Sequence, residues 1–323
     1  MRSDVLELLR EAGGYISGEK MAERLGVTRA AVWKKIAALR DAGYDISSAP
    51  RSGYILRSAP DRLIEPEIAK GLGTELVGRK IICYDAVGST NLLLKDMARQ
   101  GAENGTVVVA DTQGMGRGRM ERAFFSPPGK GIYVSILLRP NFLPQDAPKC
   151  TLMAAVAVAR AMEKFGLRAA IKWPNDIMHD GRKMVGILTE MSAEMDRVNY
   201  VVIGIGINVN IASEDFPEEL RPIATSLMQM KGEPLPRVAF LQELLRALDA
   251  LYACAQQEGF APVLAAWREY AVTLGQQVRV IGPVGESFEG MAADIDAEGA
   301  LLIDTSTGRR RVLAGDVSIR PKE

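Results

Sequence analysis

The sequence predicts a multidomain α+β protein, and three observations carry that prediction. Residues 1–60 hold three short helical periods followed by a hairpin pattern. The middle of the chain carries apolar, β-branched runs separated by glycines and Asp-Gly turns, with helical stretches between them. The end alternates short strands with turns. At 323 residues the chain can bury about two or three cores, and the composition shifts place boundaries at 1–64, 65–270 and 271–323.

Composition removes several classes of function. With 47% hydrophobic and 25% charged residues this is an ordinary globular composition. Lys+Arg and Asp+Glu both number 40, so any nucleic-acid site must be local. No uncharged apolar run approaches the roughly 20 residues a membrane span needs. Cys83, Cys150 and Cys254 form no CxxC pair and no signal-peptide core precedes them, which predicts a reducing cytoplasm. The single histidine, His179, precedes Asp180-Gly181 in a turn-like setting, which argues against zinc clusters and histidine triads.

Residues 1–60 carry ten Lys/Arg and seven Asp/Glu, a local balance of +3. Val5, Leu6, Leu8 and Leu9 predict a first helix and Gly18–Leu25 a second. Gly26 breaks it, and Thr28 can cap a third helix running to about Ala42. The segment YDISSAPRSGYIL then reads as a hairpin with Arg51 and Ser52 at its tip.

In the central region, Lys80–Tyr84 predicts a strand leading into DAVGSTNLLLKDMARQG, where Ser89 or Thr90 can cap a helix. The same hydroxyl and amide groups can instead hold a neutral polar ligand. Two apolar runs, Thr106–Ala110 and Gly131–Leu138, flank a loop with Gly114, Gly116, Gly118, Arg117, Arg119 and Arg122. Glycines expose backbone N–H groups to a close ligand, and arginine forks match carboxylate or phosphate oxygens. The loop is therefore read as an anion wrap. It is not a Walker A loop, because neither Gly-Lys-Ser/Thr nor a helix follows.

Ala147–Phe165 has helical spacing. AIKWPND, HDGRKMVGILTEM and VNYVVIGIGINVN follow as strand-like runs joined by DG and DR turns. They predict a largely antiparallel sheet with helices on one face. Lys183 opens an apolar strand, and Gly186, Gly204 and Gly206 leave room nearby for a ligand or loop. Helices are expected at Leu235–Glu258 and Pro262–Tyr270, and the strands from 271 onward are expected to form a small SH3-like β-barrel. Arg309, Arg310 and Arg311 fit a solvated hairpin.

Four motifs in this order, a winged helix-turn-helix, Gly88-Ser89-Thr90-Asn91, Gly116-Arg117-Gly118-Arg119 and Lys172-Trp173-Pro174-Asn175-Asp176 with Lys183, resemble the bifunctional biotin protein ligase and biotin operon repressor family. The resemblance covers essentially the whole chain. It implies a class II synthetase-like central domain that converts biotin and ATP to biotinyl-AMP, with Mg2+ bridging phosphates. The acyl group then passes to a lysine of the biotin carboxyl carrier protein of acetyl-CoA carboxylase. By motif position Ser89, Thr90, Asn91 and Gln113 would meet the biotin head, and Arg117, Gly118 and Arg119 would wrap the ligand. Lys183, with Arg119, would serve the reacting carboxylate and acyl phosphate, and Arg122, Lys172, Asn175 and Asp176 the nucleotide or metal side. Thr28, Arg29, Trp33, Lys34, Lys35 and Arg51 would face operator DNA, bound as a ligand-dependent homodimer with biotinyl-AMP as co-repressor.

The loop departs from the family pattern at Glu121, where a small residue is usual, and at Phe124, where a tryptophan is usual. These changes bear on loop stability and nucleotide affinity. Two other readings share much of the pattern: a lipoate or octanoate ligase, which would not be expected to carry the reader domain, and a repressor that senses biotin without ligating it.

Overall fold

The computed structural model describes residues 5–119, 122–282 and 287–313, with the backbone of the strand Ser318–Pro321. It forms two compact units, Met1–Arg62 and Leu63–Glu323.

The first unit holds α1 (Val5–Ala12), α2 (Gly18–Leu25), α3 (Arg29–Asp41) and the antiparallel hairpin β1 (Asp45–Ala49) and β2 (Gly53–Ser58). Its helix ends follow from single side chains. Ser17 Oγ accepts from Lys20 N, and Gly26 takes a left-handed φ of 65° that stops α2. Thr28 Oγ1 then accepts from Ala31 N at 3.2 Å and starts α3. Val32 and Ile36 are buried, while Trp33, 63% exposed, stands on the outer side of α3 with Arg29, Lys34 and Lys35. Arg51 sits at the hairpin tip with φ 65°. Gly53 admits no side chain, since a Cβ there would lie 2.1 Å from the Ile16 carbonyl oxygen.

The second unit begins with α4 (Glu65–Ala69) and is built on a seven-stranded sheet. Its strands are β3 (Lys80–Val87), β4 (Thr106–Gln113), β5 (Gly131–Leu138), β6 (Ala170–Lys172), β7 (Asp176–His179), β8 (Arg182–Ala193) and β9 (Val198–Asn208). They lie in the order β3-β4-β5-β9-β8-β7-β6, antiparallel except for β3 and β4. Asp180 and Gly181, at φ 48° and 73°, close the β7–β8 hairpin as the Asp-Gly pair predicts.

Helices cover both faces of this sheet, which corrects the one-face expectation. The parallel β3–β4 pair requires a crossover, and its helix α5 (Thr90–Arg99) packs Leu94 and Ala98 on Val108, Leu137 and Val202. The alternate residues Val107, Val109, Ile136 and Ile203 face the larger core with α6 (Lys149–Lys164) and α8 (Arg237–Glu258). The short α7 (Leu227–Lys231) and then α9 (Ala261–Tyr270) complete the helices of this unit.

The strands β10 (Gln277–Ile281), β11 (Ser287–Ile295), β12 (Leu301–Thr305), β13 (Gly308–Val312) and β14 (Ser318–Pro321) make an antiparallel sheet ordered β13-β12-β11-β10-β14. Val278, Val280, Ala292, Leu301 and Ile303 belong to the same continuous core as α6 and α8. The arginine triplet is paired: Arg309 with Asp304 at 2.7 Å, Arg311 with Asp296, and Arg310 over the Phe288 ring. Among the described residues no helix is long and apolar enough to cross a membrane.

Candidate functional site

The sheet and the glycine-arginine loop enclose one cavity. Its wall contains Ser89, Thr90, Asn91, Gln113, Arg117, Gly118, Asn175 and Lys183, so residues from three of the four sequence motifs meet there together with Gln113. Phe124 completes the wall above Gly186 and Gly206, which are register partners on β8 and β9.

Ser89 is the N-cap of α5 but makes no side-chain capping hydrogen bond. The Gln113 side chain performs that role from β4, its Oε1 accepting from Thr90 N at 2.9 Å and from Thr90 Oγ1 at 3.1 Å. The cap expected of Ser89 or Thr90 is thus supplied by Gln113, and Ser89, Thr90 and Asn91 line the cavity. Asn91 lies flat on Gly204, where a Cβ would come within 2.0 Å of its Oδ1.

The loop is rooted at the start of α5. Gly114 N and Met115 N donate to the carbonyls of Val87 and Gly88. Gly118 N donates to Arg122 O at 2.7 Å and Phe124 N to Gly116 O at 2.9 Å, which pairs the two sides of the loop, and Arg119 Nη1 donates to Asn175 Oδ1 at 3.2 Å. Gly116 permits this fold, since a Cβ there would lie 2.5 Å from Phe124 O. The Arg122 side chain is exposed, and the question raised by Glu121 lies outside the described residues.

Trp173-Pro174, joined by a cis peptide, form the turn between β6 and β7. The turn is held by segments flanking the C-terminal strands: Trp173 N donates to Thr273 Oγ1 at 2.9 Å, and its indole Nε1 to Gly299 O at 3.2 Å. Lys149 Nζ, only 8% exposed as a residue, reaches the neighbouring Ala297 carbonyl. Asn175 is fixed by Nδ2 donation to Ile187 O, and Asp176 Oδ1 meets Lys183 Nζ at 2.6 Å. Lys172 pairs in register with Asp176 on the neighbouring strand but is not part of the cavity wall.

Lys183 is held through its backbone, with N donating to Ile223 O and O accepting from Thr225 N. Its side chain folds over Gly186, where a Cβ would sit 3.0 Å from Nζ. The cavity wall therefore offers neutral polar groups at Thr90 and Gln113 and cations at Lys183 and Arg117; Arg119 and Asp176 stand behind the wall, bonded to its members Asn175 and Lys183. That arrangement suits a ligand with a polar neutral head and an anionic reacting end. Sequence reasoning missed Ser135, Lys95 and Glu190, which support Thr90 and Asn91 from behind. Ser135 did leave a signal, as the one aliphatic hydroxyl in the apolar run Gly131–Leu138.

Comparison with known proteins bears on this geometry. Residues 84–208 match the Biotin/lipoate A/B protein ligase family, 2–55 an HTH domain and 273–320 the biotin protein ligase C-terminal domain. The chain is 44% identical over 321 residues to the Bifunctional ligase/repressor BirA of Bacillus subtilis, covering 99% of this chain and 98% of that protein. Its identity to the Escherichia coli protein of the same name is 33%, covering 96% and 95%. A biotin protein ligase from Aquifex aeolicus, solved with biotin and ATP, superposes with TM-score 0.66 at 28% identity, covering 76% of this chain and 100% of that one.

Proposed function

The chain belongs to the family of bifunctional biotin protein ligases and biotin operon repressors, and from that premise we propose how its residues divide the work. It is a biotin–protein ligase and a DNA-binding repressor of biotin synthesis genes. A biotin carboxylate oxygen attacks the α-phosphorus of ATP, pyrophosphate leaves, and biotinyl-AMP results. A lysine amine of the carrier protein then attacks the acyl carbon and releases AMP.

Ser89, Thr90 and Gln113 hold the biotin head, Arg117, Gly118 and Arg119 wrap the ligand, and Lys183 meets the carboxylate and acyl phosphate. Lys183 and Arg119 thereby stabilise charge that develops at the α-phosphate, which requires no protein nucleophile. Asn175 and Asp176 serve the nucleotide side, with Lys172 and the exposed Arg122 at its margin. Among the described residues no group of three acidic, cysteine or histidine side chains could cage a metal. Mg2+ arriving on ATP phosphates needs few protein ligands, and Asp176 is the carboxylate placed to supply one.

The single observation that carries this reading is the convergence of Lys183, paired with Asp176, and the Thr90–Gln113 head site on one cavity. Biotin-dependent exchange of pyrophosphate into ATP tests it, with Lys183→Ala expected to slow exchange at least a hundredfold. Exchange with lipoate or octanoate but not biotin would assign the site to the other branch of the ligase family.

In the first unit, Thr28, Arg29, Trp33, Lys34, Lys35 and Arg51 are all exposed, as a DNA-facing surface requires. We read the central sheet as class II synthetase-like, the C-terminal sheet as an SH3-like barrel, and the chain as cytoplasmic, in keeping with three unpaired cysteines. The operator-bound form is a homodimer, and the acceptor is the biotin carboxyl carrier protein of acetyl-CoA carboxylase.

A further inference from the structure

We propose that Glu190, outside the cavity wall, is a specificity-determining positioning residue that acts through Asn91 and Ser135 to make the Thr90 hydroxyl a hydrogen-bond acceptor for a ligand N–H. This rests on the biotin reading above and assigns the device that selects the ureido ring.

The protons can be placed by elimination. Asn91 Nδ2 lies 3.0 Å from Glu190 Oε2 and 3.2 Å from Leu188 O. A carboxylate and a carbonyl can only accept, so the amide nitrogen faces them and the amide oxygen faces the other way. That oxygen lies 2.6 Å from Ser135 Oγ, and because it too can only accept, Ser135 spends its one proton there. Ser135 Oγ is then an acceptor for Thr90 Oγ1, 2.8 Å away. The remaining close partner of Thr90 Oγ1, Gln113 Oε1 at 3.1 Å, also only accepts. Thr90 must therefore give its proton inward, and what it turns to the cavity is a lone pair.

A lone pair at that position favours a head group that presents N–H. A bicyclic urea does; a dithiolane or a plain alkyl chain does not. The far end of the chain is Lys95, whose Nζ is 2.6 Å from Glu190 Oε1 and holds the carboxylate against α5. Ser135 is fully buried and Thr90 and Asn91 are nearly so, so water has little access to reset these protons.

The test measures biotin affinity and steady-state KM for biotin and for ATP in the full chain. Glu190→Ala should raise the biotin Kd and KM about five- to tenfold, the worth of roughly one hydrogen bond, with the ATP KM unmoved. The Leu188 carbonyl still holds one amide proton, which keeps the loss partial. Glu190→Gln, which can keep an acceptor facing Asn91, should recover most of the affinity. Ser135→Ala should act in the same direction, and the double variant should lose less than the product of the two single losses, since both interrupt one chain. Discrimination against lipoate should shrink in parallel.

Equal losses for biotin and ATP, or additive effects in the double variant, would overturn the inference by reducing Glu190 to a general structural role. Wild-type affinity in Glu190→Ala would overturn it too, while biotin-dependent exchange in the parent protein would leave the ligase reading standing. A parent protein that exchanges only with lipoate would overturn both.

Discussion

Gly204→Ala should do more damage than its size suggests. Gly204 lies on β9 in register with Ser135 on β5 and Leu188 on β8, and Asn91 bridges to those same two residues across it. A Cβ would stand 2.0 Å from Asn91 Oδ1, 2.7 Å from Cγ and 2.9 Å from Nδ2, each closer than a real Cβ comes to a neighbour. Asn91 cannot lift away, because one turn later α5 is pinned by buried Leu94. The substitution must therefore overpack the site, which costs about 1–3 kcal/mol, or break the Asn91 bonds at about 1 kcal/mol each and more for the one to Glu190. Replacing glycine in a strand returns roughly 0.5–1 kcal/mol. The net expectation is a loss of about 1–2.5 kcal/mol in urea unfolding of the second unit, with biotin affinity down at least tenfold by calorimetry. A variant within about 0.5 kcal/mol of wild type that still binds biotin normally would show that Asn91 is not locked as described.

Gly206→Ala provides the contrast: its Cβ meets the Phe124 ring at 2.6 Å, a side chain that can swing aside, so stability should change by less than about 1 kcal/mol while ligand affinity falls. Urea unfolding and calorimetry read both. Arg119→Gly removes the bond to Asn175 that ties the loop tip across the site; labelled biotinyl-AMP should dissociate faster and acylate bystander lysines, and unchanged retention would refute the tether. Burial raises the Cys150 thiol from 9.0 to about 12, so unfolding releases a thiol that ionises more readily. That contribution is complete below about pH 9 and is lost as pH rises toward 12, and Cys150→Ala should flatten this alkaline fall in unfolding free energy. For repression, biotin plus ATP should shift the protein toward dimer in sedimentation and tighten a two-half-site operator more than one half-site; equal operator affinity at fixed salt would sever the linkage.

Much of the site was legible because its chemistry demands residue types that stand out locally. Gly-Arg alternation in 116–119, Asn175-Asp176 behind Trp173-Pro174, and a cation at the mouth of β8 each mark themselves within a few residues. The support behind Thr90 was not legible, because Ser135, Asn91 and Glu190 become one network only through the β5–β9–β8 register. The second covered face was missed for a related reason. Residue periodicity shows that β3 and β4 are strands but not that they run parallel, and parallel pairing is what sends α5 across the sheet. Gln113 likewise carries no sequence mark of a helix cap, since it reaches α5 from another strand.

The loop is anchored independently of the sheet's hydrogen-bonded register. Its feet are fixed: Thr112 Oγ1 donates to Ser126 O at 2.7 Å, Gly129 N to Asp111 Oδ2, and the buried Arg237 joins Asp111 Oδ1 at 2.9 Å and Gly131 O at 3.1 Å. An ion pair so placed contributes geometry more than net stability, because desolvation offsets most of its attraction. Between those feet Gly118 N donates to Arg122 O, and Arg119 crosses to Asn175 on the far side of the site. Side chains and backbone of the flanking strands, Thr112, Asp111 and Gly131, thus fix where the loop leaves the sheet.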